Sequence, residues 1–485
     1  MSSRVTLARR TLGSGALFVF AAVASSPLTV LVGGIVSTYA LTGVVGVPLA
    51  FVVIMAVMGL LAVGYVAMAR HMPHSAPFYA QLARGANPAV GVAGAAVALL
   101  GYNAIQISLY GLIGASLAGL FGGVWWAWAA WAWVIVAVLG VRRGNTNAKI
   151  LGSLLAVEIA TIVLFDIAAF ANPADGSVSL TPLMPASLMT AGVAGCLAFT
   201  MAAFVGAESP PAFGEEARSP RAVGVATFGG IAFLGVLYAV SSWAYATAAG
   251  PGQVVQAAAD PDRGPFAVLG QVFGPGVINL ATVLLVTSVL AAMSAFHATV
   301  ARYVFAMSRE QVLPAAWGRV SGGAAGGAPL GGSVVQSVVA AMVVGAFALA
   351  GADPMTSMFV WLSTIGAVCV LVLLTASSVA ARAWFAAGGG ARESVWVRQV
   401  LPAVGAVVGI LVAVFMLSNL ASLLGTPPES PLPLLVPLLV VAAGLLGLAR
   451  GHWLRQVRPQ VYEGIGRGTP NPLTVQDQRL SDLAV

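Results

Sequence analysis

The residues with the clearest capacity for chemistry lie in segment 204–221, where three glutamates, two adjacent prolines and two arginines interrupt and end an apolar run. Glu208 falls where ionisable groups are costly and usually functional. Pro210 and Pro211 lack backbone donors, and the proline that follows Ser209 moves that residue away from helical geometry. Irregular backbone is tolerated at bilayer depth only where it is buried in protein or lines a cavity. The segment therefore predicts a solute-binding site near the middle of a membrane.

The composition indicates an all-α integral membrane protein. Hydrophobic residues make up 59% of the 485 residues and charged residues only 8%, whereas soluble chains carry roughly a quarter charged residues. A hydrocarbon core of about 30 Å needs roughly 20 apolar residues per helix, and the apolar runs predict twelve spans. They are expected at 16–42, 46–69, 89–119, 124–140, 149–171, 188–213, 223–249, 275–299, 333–350, 356–381, 400–424 and 432–449.

The positive charges predict the orientation. If the amino terminus is cytoplasmic, these spans put all of the 22 lysines and arginines on the inside except Arg263, as the positive-inside rule requires. A span count wrong by one would scatter the arginines over both sides. We therefore expect a multi-pass protein of the plasma membrane with both termini cytoplasmic. The net charge of +7 then belongs to the cytoplasmic loops and indicates no nucleic-acid partner.

A short pattern recurs in the first and sixth predicted spans. Superposing Ser26-Pro27 on Ser209-Pro210, an offset of 183 residues, also aligns Ala24 with Ala207. This offset predicts two repeats of five helices, and an odd number inverts the second repeat in the membrane. The predicted organisation is an amino-terminal segment 1–15, repeats 16–171 and 188–381, two further helices in 400–449 and a cytoplasmic tail 450–485.

Broken first and sixth helices have a chemical consequence. Free N–H groups at the N-termini of half-helices can hold an anionic group. Unwound carbonyls and hydroxyls can hold an ammonium group or a cation. Both demands met in one small cavity suit a zwitterion such as an amino acid.

The sixth-span segment Phe204-x-Gly206-x-Glu208, with its exit Glu215-Glu216-x-Arg218-x-Pro220-Arg221, resembles the signature of the amino acid–polyamine–organocation (APC) permeases. Supporting stretches are Pro27-Leu-Thr-Val30, Gly101-Tyr-Asn-Ala-Ile-Gln106 with Tyr110, and 302–314. The resemblance covers spans one to ten. It implies the LeuT-type fold, a 5+5 inverted repeat with broken helices 1 and 6, and secondary amino-acid transport.

The resemblance also implies residue roles. The first break would place Ser25, Ser26 and Thr29 at the substrate, beside Pro27. The second break, ahead of Pro210 and Pro211, would place there Phe204, Gly206, Ala207, Glu208 and Ser209. Phe204 matches the aromatic residue that closes over the substrate in this family. Two departures leave the substrate side chain open, because Ala207 stands where the family often has a bulky residue and Ser25-Ser26 where it has glycines.

Several polar residues keep alternative interpretations. Glu208 could take up a proton, pair with a cationic substrate or bridge the unwound helices structurally. Glu158, in the middle of span five, is either a coupling acid or an acid satisfied by neighbouring helices. Tyr102 and Gln106, one helical turn apart, line the pathway or join helices by hydrogen bonds. Asp166 is expected near the interface and solvated.

The charged exit of span six is predicted to act as a cytoplasmic gate. Glu215, Glu216, Arg218 and Arg221 are expected to form ion pairs with other inner loops and to change partners between states, with solvated charges as the alternative. The tail from about Gly451 is polar and is expected to be disordered or loosely ordered.

The leading hypothesis is a secondary active permease for an amino acid or related amine, with proton symport preferred to sodium coupling. An amino acid/polyamine exchanger and a transporter-like nutrient sensor are the alternatives. An enzyme is not expected, because four scattered histidines supply no catalytic metal cluster. No cofactor or resident metal is expected, and no phosphate-binding loop for ATP is present.

Overall fold

The computed structural model describes residues 7, 11–142, 144–321, 327–390, 393–427 and 429–468, without the side chains of 144–147 and 261. The regular structure of this part of the chain is helical, and turns, irregular loops and two isolated bridges, Leu7 to Gly327 and Leu12 to Ala217, make up the rest. Six arginines that the predicted orientation counts lie outside the described residues, together with 469–485 of the predicted tail. These arginines are Arg4, Arg9, Arg10, Arg143, Arg392 and Arg479.

Ten helical segments of the described chain are long and apolar enough to cross a membrane. They are Ser14–Thr42, Val47–His71, Pro88–Phe121, Ala148–Ala171, Pro220–Ala249, Pro275–Arg309, Leu330–Leu349, Pro354–Ala386, Trp396–Ser418 and Leu432–Val457. Two shorter apolar helices, Trp125–Gly140 and Val193–Ala203, coincide with the fourth and sixth predicted spans. The fold is therefore an all-helical membrane protein, and the count of twelve crossings stays a prediction.

Five shorter helices lie between these segments, and a sixth follows the last of them. They are Pro77–Gly85, Pro185–Leu188, Val254–Ala258, Pro265–Phe273, Leu420–Leu424 and Pro459–Gly464. Two of the long helices begin at a polar cap followed by proline at the first helical position, a combination that satisfies orphan N–H groups and presets the backbone. Asn87 accepts from the N–H of Val90 at 3.1 Å, and Ser219 accepts from Ala222 at 3.2 Å.

Small residues let the helices that carry the site pack closely. A Cβ on Gly101 would lie 2.5 Å from the Cβ of Cys369, and one on Gly366 would lie 2.0 Å from a side-chain carbon of Ile105. Close backbone approach through small residues is the usual way in which membrane helices pack. It fixes helix Pro88–Phe121, which carries Tyr102, against the helix that begins at Val360.

The expectation of a loosely ordered tail is wrong for residues 451–468. Helix Leu432–Val457 includes the first seven of these residues, and helix Pro459–Gly464 follows it. Ile465 is then buried in the main hydrophobic core. Polar composition did not predict this order, because a few buried contacts anchor the segment.

Candidate functional site

The first long segment is broken after residue 24. Helix Ser14–Ala24 ends there, Ser26 adopts a left-handed conformation with φ of 47°, and Pro27 begins the next half-helix. That half-helix passes through a π-helical stretch, Val30–Ile35, which ends in helix Val36–Thr42. We call residues Ser25–Ser26 the first break.

The sixth apolar run is broken in a similar way. Helix Val193–Ala203 ends, residues 204–208 form turns, and a single 3-10 turn, Pro210–Phe213, follows. We call residues Phe204–Ser209 the second break. Gly206, with φ of 107°, lies outside helical geometry, and Pro210 and Pro211 lack the backbone donors with which an α-helix could continue.

The two breaks touch each other. Gly206 has φ of 107°, and a Cβ there would lie 2.7 Å from the Cβ of Ala24 and 2.9 Å from the nitrogen of Ser25. The hydroxyl of Ser25 donates to the carbonyl of Val205 at 3.2 Å. Only glycine combines this conformation with this approach. The tertiary structure thus joins two segments about 180 residues apart into one region of irregular backbone.

A buried carboxylate from a third helix binds the first break. One oxygen of Glu158 accepts from the backbone N–H of Leu28 at 2.6 Å and from the hydroxyl of Ser288 at 2.7 Å. Glu158 therefore caps the half-helix that starts at Pro27, where an N-terminus favours negative charge. Ser26 extends the network, since its hydroxyl lies 2.9 Å from that of Ser288 and 2.7 Å from that of Thr29.

A second buried carboxylate lies within the second break. Glu208 accepts from the hydroxyl of Tyr102 at 2.9 Å and from the N–H of Gly206 at 2.8 Å. The hydroxyl of Ser209, the next residue in the chain, is buried without a hydrogen-bond partner among the described residues, and so is the hydroxyl of Tyr65, on which the charge of Glu208 acts. Neither Glu158 nor Glu208 has a lysine, arginine or histidine within 4 Å in the described part of the chain.

The aromatic residue at the second break is packed rather than exposed. The ring of Phe204 is fully buried, with centroids 6.3 Å from Phe51 and 5.9 Å from Tyr238. Ala207, beside it, is also fully buried.

Among the described residues, no hydrogen bond of the Gln106 side chain reaches either break. Its amide nitrogen donates to the hydroxyl of Tyr110 at 3.1 Å, and its oxygen accepts from Gln336 at 2.8 Å. The bond from Gln336 joins helix Pro88–Phe121 to helix Leu330–Leu349, whereas the bond to Tyr110 lies within helix Pro88–Phe121. Of the two polar residues predicted one turn apart, the structure places Tyr102 on Glu208 and Gln106 in an interhelical network.

The expectation of a solvated Asp166 is wrong. Its side chain is buried, one oxygen accepts from the hydroxyl of Ser241 at 3.1 Å, and the other oxygen has no partner among the described residues. Position along a predicted span gave its depth but not which face of the helix is covered. The helix Pro220–Ala249, which carries Ser241, covers this face.

A charged cluster lies just beyond the second break. Glu215 binds Arg309 through two hydrogen bonds of 2.7 and 2.8 Å and accepts from the N–H of Ser75 at 2.9 Å. Burial acts to raise the pKa of Glu215, but the hydrogen bonds and charge of Arg309 outweigh it and lower that pKa to about 2. The carboxylate is therefore ionised throughout the physiological pH range.

The second pair of the cluster is more deeply buried. Arg302 donates to Glu216 at 2.6 and 2.7 Å, and both side chains are 3% exposed. The guanidinium of Arg302 also lies 4.1 Å from the centre of the Phe213 ring, which stacks on Phe20. We call Glu215, Glu216, Arg302 and Arg309 the charged cluster.

Two cations of the predicted gate are not part of this cluster. Arg218 and Arg221 are exposed and have no ion pair within 4 Å among the described residues. The backbone N–H of Arg218 instead donates to the carbonyl of Leu12 at 2.8 Å. The cations that pair with Glu215 and Glu216 come from the end of helix Pro275–Arg309.

Sequence reasoning missed Ser288, Arg302 and Arg309 as partners of the predicted acids. A signal for the arginines existed, because Arg302 and Arg309 are seven residues, or two helical turns, apart and share a helix face. Ser288 offered no such signal, since hydroxyl residues in membrane helices usually serve packing. Only the packing of three helices at one point shows its role.

Comparison with known proteins decides the family. The family model described as amino acid permease matches residues 15–446, which is nearly all of the chain. The chain belongs to the amino acid permease family, within the APC superfamily. No curated protein matches the chain significantly.

Solved structures similar to this permease include several of a manganese transporter from Eremococcus coleocola. One mutant of that protein has a TM-score of 0.60 at 16% identity, covering 92% of this chain and 97% of that chain. A second mutant gives 0.59 at 15% identity, with coverages of 93% and 97%. The complex with an aromatic bis-isothiourea substituted compound gives 0.55 at 16% identity, with coverages of 90% and 94%. At such identities the likeness establishes the fold, which is that of an APC transporter, and the permease is a multi-pass membrane transporter.

Proposed function

We propose that this permease is a secondary active transporter of an amino acid or related amine, working by alternating access about the two breaks. The observation that carries the proposal is the contact between the breaks, with a buried carboxylate bound to each. Gly206 touches Ala24 and Ser25, Glu158 caps the half-helix at Leu28, and Glu208 binds the second break. Irregular backbone of this kind in a membrane is buried in protein or lines a cavity, and in transporters it forms the substrate site.

The groups around the breaks suit a small polar solute with an amine. Ser25, Ser26, Thr29, Tyr102, Phe204, Gly206, Ala207, Glu208 and Ser209 are the residues we assign to substrate binding. The carbonyls left by unwinding and the carboxylate of Glu208 can accept from an ammonium group. The unpaired hydroxyls of Tyr65 and Ser209 can donate to a carboxylate. We do not extend the substrate site to Gln106, whose hydrogen bonds are satisfied by Tyr110 and Gln336.

The conformation is consistent with an occluded state. Ser25, Ser26, Glu208 and Ser209 are each at most 6% exposed. The charged cluster closes the side that we propose to be cytoplasmic. On the other side, the hydroxyl of Tyr39 donates to the carbonyl of Ser242 at 3.0 Å. Opening to either side would separate one of these closures while the breaks act as hinges.

Proton coupling is supported by the environment of the two acids. Both are buried among neutral donors and lack a nearby cation among the described residues. A proton or a cationic substrate would neutralise such a charge, and intramembrane acids often form proton relays. The oxygen atoms of Glu158, Ser26 and Ser288 could also attract sodium, which is the less favoured alternative.

Manganese is a second candidate substrate because of the structural likeness to a manganese transporter. The described residues include no group of three or more histidine, cysteine, aspartate and glutamate side chains that could hold a metal ion. Carboxylates, carbonyls and water are the ligands that suit manganese, and no such group of carboxylates lies at the breaks among the described residues. The chemistry of the breaks therefore favours an organic solute.

The proposal includes the topology expected from the sequence. Residues 16–171 and 188–381 would form the inverted repeats, 400–449 two further helices, and 1–15 and 450–485 cytoplasmic termini in the plasma membrane. The breaks at equivalent places, 183 residues apart, support this arrangement. Measuring the accessibility of single cysteines in the loops from each side of the membrane would test it.

Uptake into proteoliposomes tests the function. A pool of labelled amino acids and polyamines, and separately Mn²⁺, would be offered with and without an inward proton gradient. We expect uptake of an amine that the gradient enhances and that Glu208→Gln abolishes, whereas Asp175→Asn, which changes an acid in the exposed loop, leaves uptake unchanged. Gradient-independent uptake that requires internal amino acid would indicate an exchanger. Uptake of Mn²⁺ alone by folded protein would overturn the amino-acid assignment.

A further inference from the structure

A third buried acid, Glu310, lies beside the charged cluster and is bound by the carboxy-terminal part of the described chain. Its side chain is 1% exposed. It accepts from His74 Nε2 at 2.9 Å and the hydroxyl of Tyr79 at 2.7 Å. It also accepts from the backbone N–H groups of Gly466 at 2.7 Å and Gly468 at 2.9 Å. Half of the hydrogen bonds to this acid therefore come from residues 459–468, which we call the tail segment.

The tail segment is shaped to hold a carboxylate. Gly466 and Gly468 both have positive φ, of 71° and 62°, so their N–H groups can converge on one anion, as in the backbone concavities that bind phosphates. A Cβ on Gly466 would lie 2.9 Å from the Cβ of Ala83 and 3.1 Å from the Cα of Ala80. The backbone of the tail segment is thus in direct contact with helix Pro77–Gly85.

The histidine beside Glu310 is fixed in one tautomer. His74 Nδ1 accepts from the N–H of Ala76 at 3.0 Å, so Nδ1 carries no proton and Nε2 carries the hydrogen that is donated to Glu310. His74 therefore donates to Glu310 through Nε2. Stabilisation of the Glu310 carboxylate then depends on the hydrogen bonds around it, and two of the four belong to the tail segment.

The charged cluster is bound by the chain neighbours of His74 and Glu310. Glu310 follows Arg309, which binds Glu215, and Glu215 accepts from the N–H of Ser75, next to His74. A Cβ on Gly468 would lie 3.7 Å from Arg309 Nη2 and 3.8 Å from His74 Cδ2. Separating Glu215 from Ser75 and Arg309 would displace their chain neighbours His74 and Glu310, and Glu310 is the residue that the tail segment binds.

We propose that the tail segment is a latch that holds the charged cluster closed, so that its release speeds opening to the cytoplasm. The proposal rests on alternating access, but it is independent of which solute is carried. A segment that binds the closed arrangement more tightly than the open one shifts the population toward the closed state. The size of the shift is set by the difference between the two binding free energies.

A single cysteine behind the charged cluster can report opening without any substrate. Ala212 lies between the second break and Glu215 and is 2% exposed. Ala212→Cys would be made in a chain whose two native cysteines, both buried, are replaced by alanine. Its rate of reaction with a membrane-impermeant maleimide would be measured in inside-out vesicles. Hydrogen exchange of the tail segment would show separately whether it is released.

Two variants release the latch and one serves as the matched control. Gly466→Ala places a methyl group against Ala83 and strains a positive φ, whereas a Cβ on Gly464, two residues earlier, meets nothing within 4 Å. Truncation after Arg458 removes the tail segment without any substitution in the body. We expect Gly466→Ala and the truncation to raise the labelling rate about threefold or more, and Gly464→Ala to leave it unchanged.

Other outcomes would overturn the latch. The proposal is wrong if the cysteine of the truncated chain reacts with maleimide at the parental rate. It is equally wrong if Gly466→Ala reacts at that rate although hydrogen exchange shows that its tail segment is released. It is also wrong if Gly464→Ala accelerates labelling as much as Gly466→Ala. Arg309→Gln, which breaks the charged cluster directly, separates the two hypotheses. Acceleration by Arg309→Gln alone would retain the cluster as a gate and reject the latch, and no acceleration by any variant would reject both.

Discussion

Glu158 at the breaks and Glu216 in the charged cluster are almost equally buried, at 3% and 2% exposed as whole residues, but their partners differ. Glu158 is held by a backbone N–H and a hydroxyl, both neutral. Glu216 is held by the guanidinium of Arg302 at 2.6 Å. The charge of Glu216 is compensated within the protein, whereas that of Glu158 is offset only by dipoles.

This difference indicates which acid can change its charge during a transport cycle. Changing the charge of a buried acid that is paired with arginine is costly, because loss of either charge leaves the other uncompensated. An acid held by neutral donors can exchange its negative charge for a proton or for a nearby cation at smaller cost. We infer that the acids at the breaks serve coupling and that those of the charged cluster serve closure.

The largest expected effect is on stability, at the charged cluster. Arg302→Met leaves Glu216 buried without its cation, and we expect a loss of about 3–5 kcal/mol in the free energy of unfolding. The measurement is denaturant unfolding of the purified protein in mixed micelles.

The matched control is Arg70→Met, which breaks the exposed pair with Glu393, where the Arg70 side chain is 38% exposed. It should cost less than about 1 kcal/mol. The double variant Arg302→Met with Glu216→Leu should recover most of the loss. Equal effects of the two single variants would remove the distinction between the buried pair and a surface pair.

The next effect is on transport, at the breaks. Glu158→Gln keeps the size and one acceptor oxygen for Leu28 but cannot carry a proton or a charge. We expect the stimulation of uptake by a proton gradient to fall by about tenfold or more. The free energy of unfolding should change by less than about 2 kcal/mol. The readout is uptake with and without the gradient, in parallel with unfolding. Full gradient stimulation in Glu158→Gln would assign this acid a structural role.

The smallest expected effect is the response of the charged cluster to pH. The pKa of Glu215 is lowered to about 2 from its ordinary 4.5. The stability that this shift provides is therefore complete above pH 4.5 and is lost progressively as the pH falls from 4.5 through about 2. Spin labels at Arg221→Cys and Arg319→Cys, both exposed positions, should report the same distance at pH 8 and pH 5. A changed distance in this range, absent from Glu215→Gln, would place pH sensing in the cluster.

The sequence predicted the site most successfully where backbone chemistry is local. Pro27 and the pair Pro210-Pro211 cannot continue an α-helix, and the chain leaves α-helical geometry just before Pro27 and again before Pro210. The depth of Glu158 and Glu208 in apolar runs likewise pointed to buried acids. These features depend on a few neighbouring residues, so the local sequence is enough to predict them.

Partners across the fold were harder to predict. The sequence suggested Arg218 and Arg221 as cations of the gate, but Arg302 and Arg309 occupy those places. Gln106 was grouped with Tyr102 by helical spacing, yet its partners are Tyr110 and Gln336. Spacing along one helix gives the face of a residue and not the identity of the helix that covers it.

Composition and apolar run length by themselves determined that this protein is a helical membrane protein, because a bilayer requires long apolar helices with satisfied backbone. The motif around Glu208 determined its family. Only the tertiary structure decided that Glu158 caps the half-helix at Leu28, that Gly206 touches the first break and that Gly466 and Gly468 bind Glu310. These contacts join residues 130 to 182 positions apart, and such pairings are set by the packing of whole helices, which no local pattern encodes.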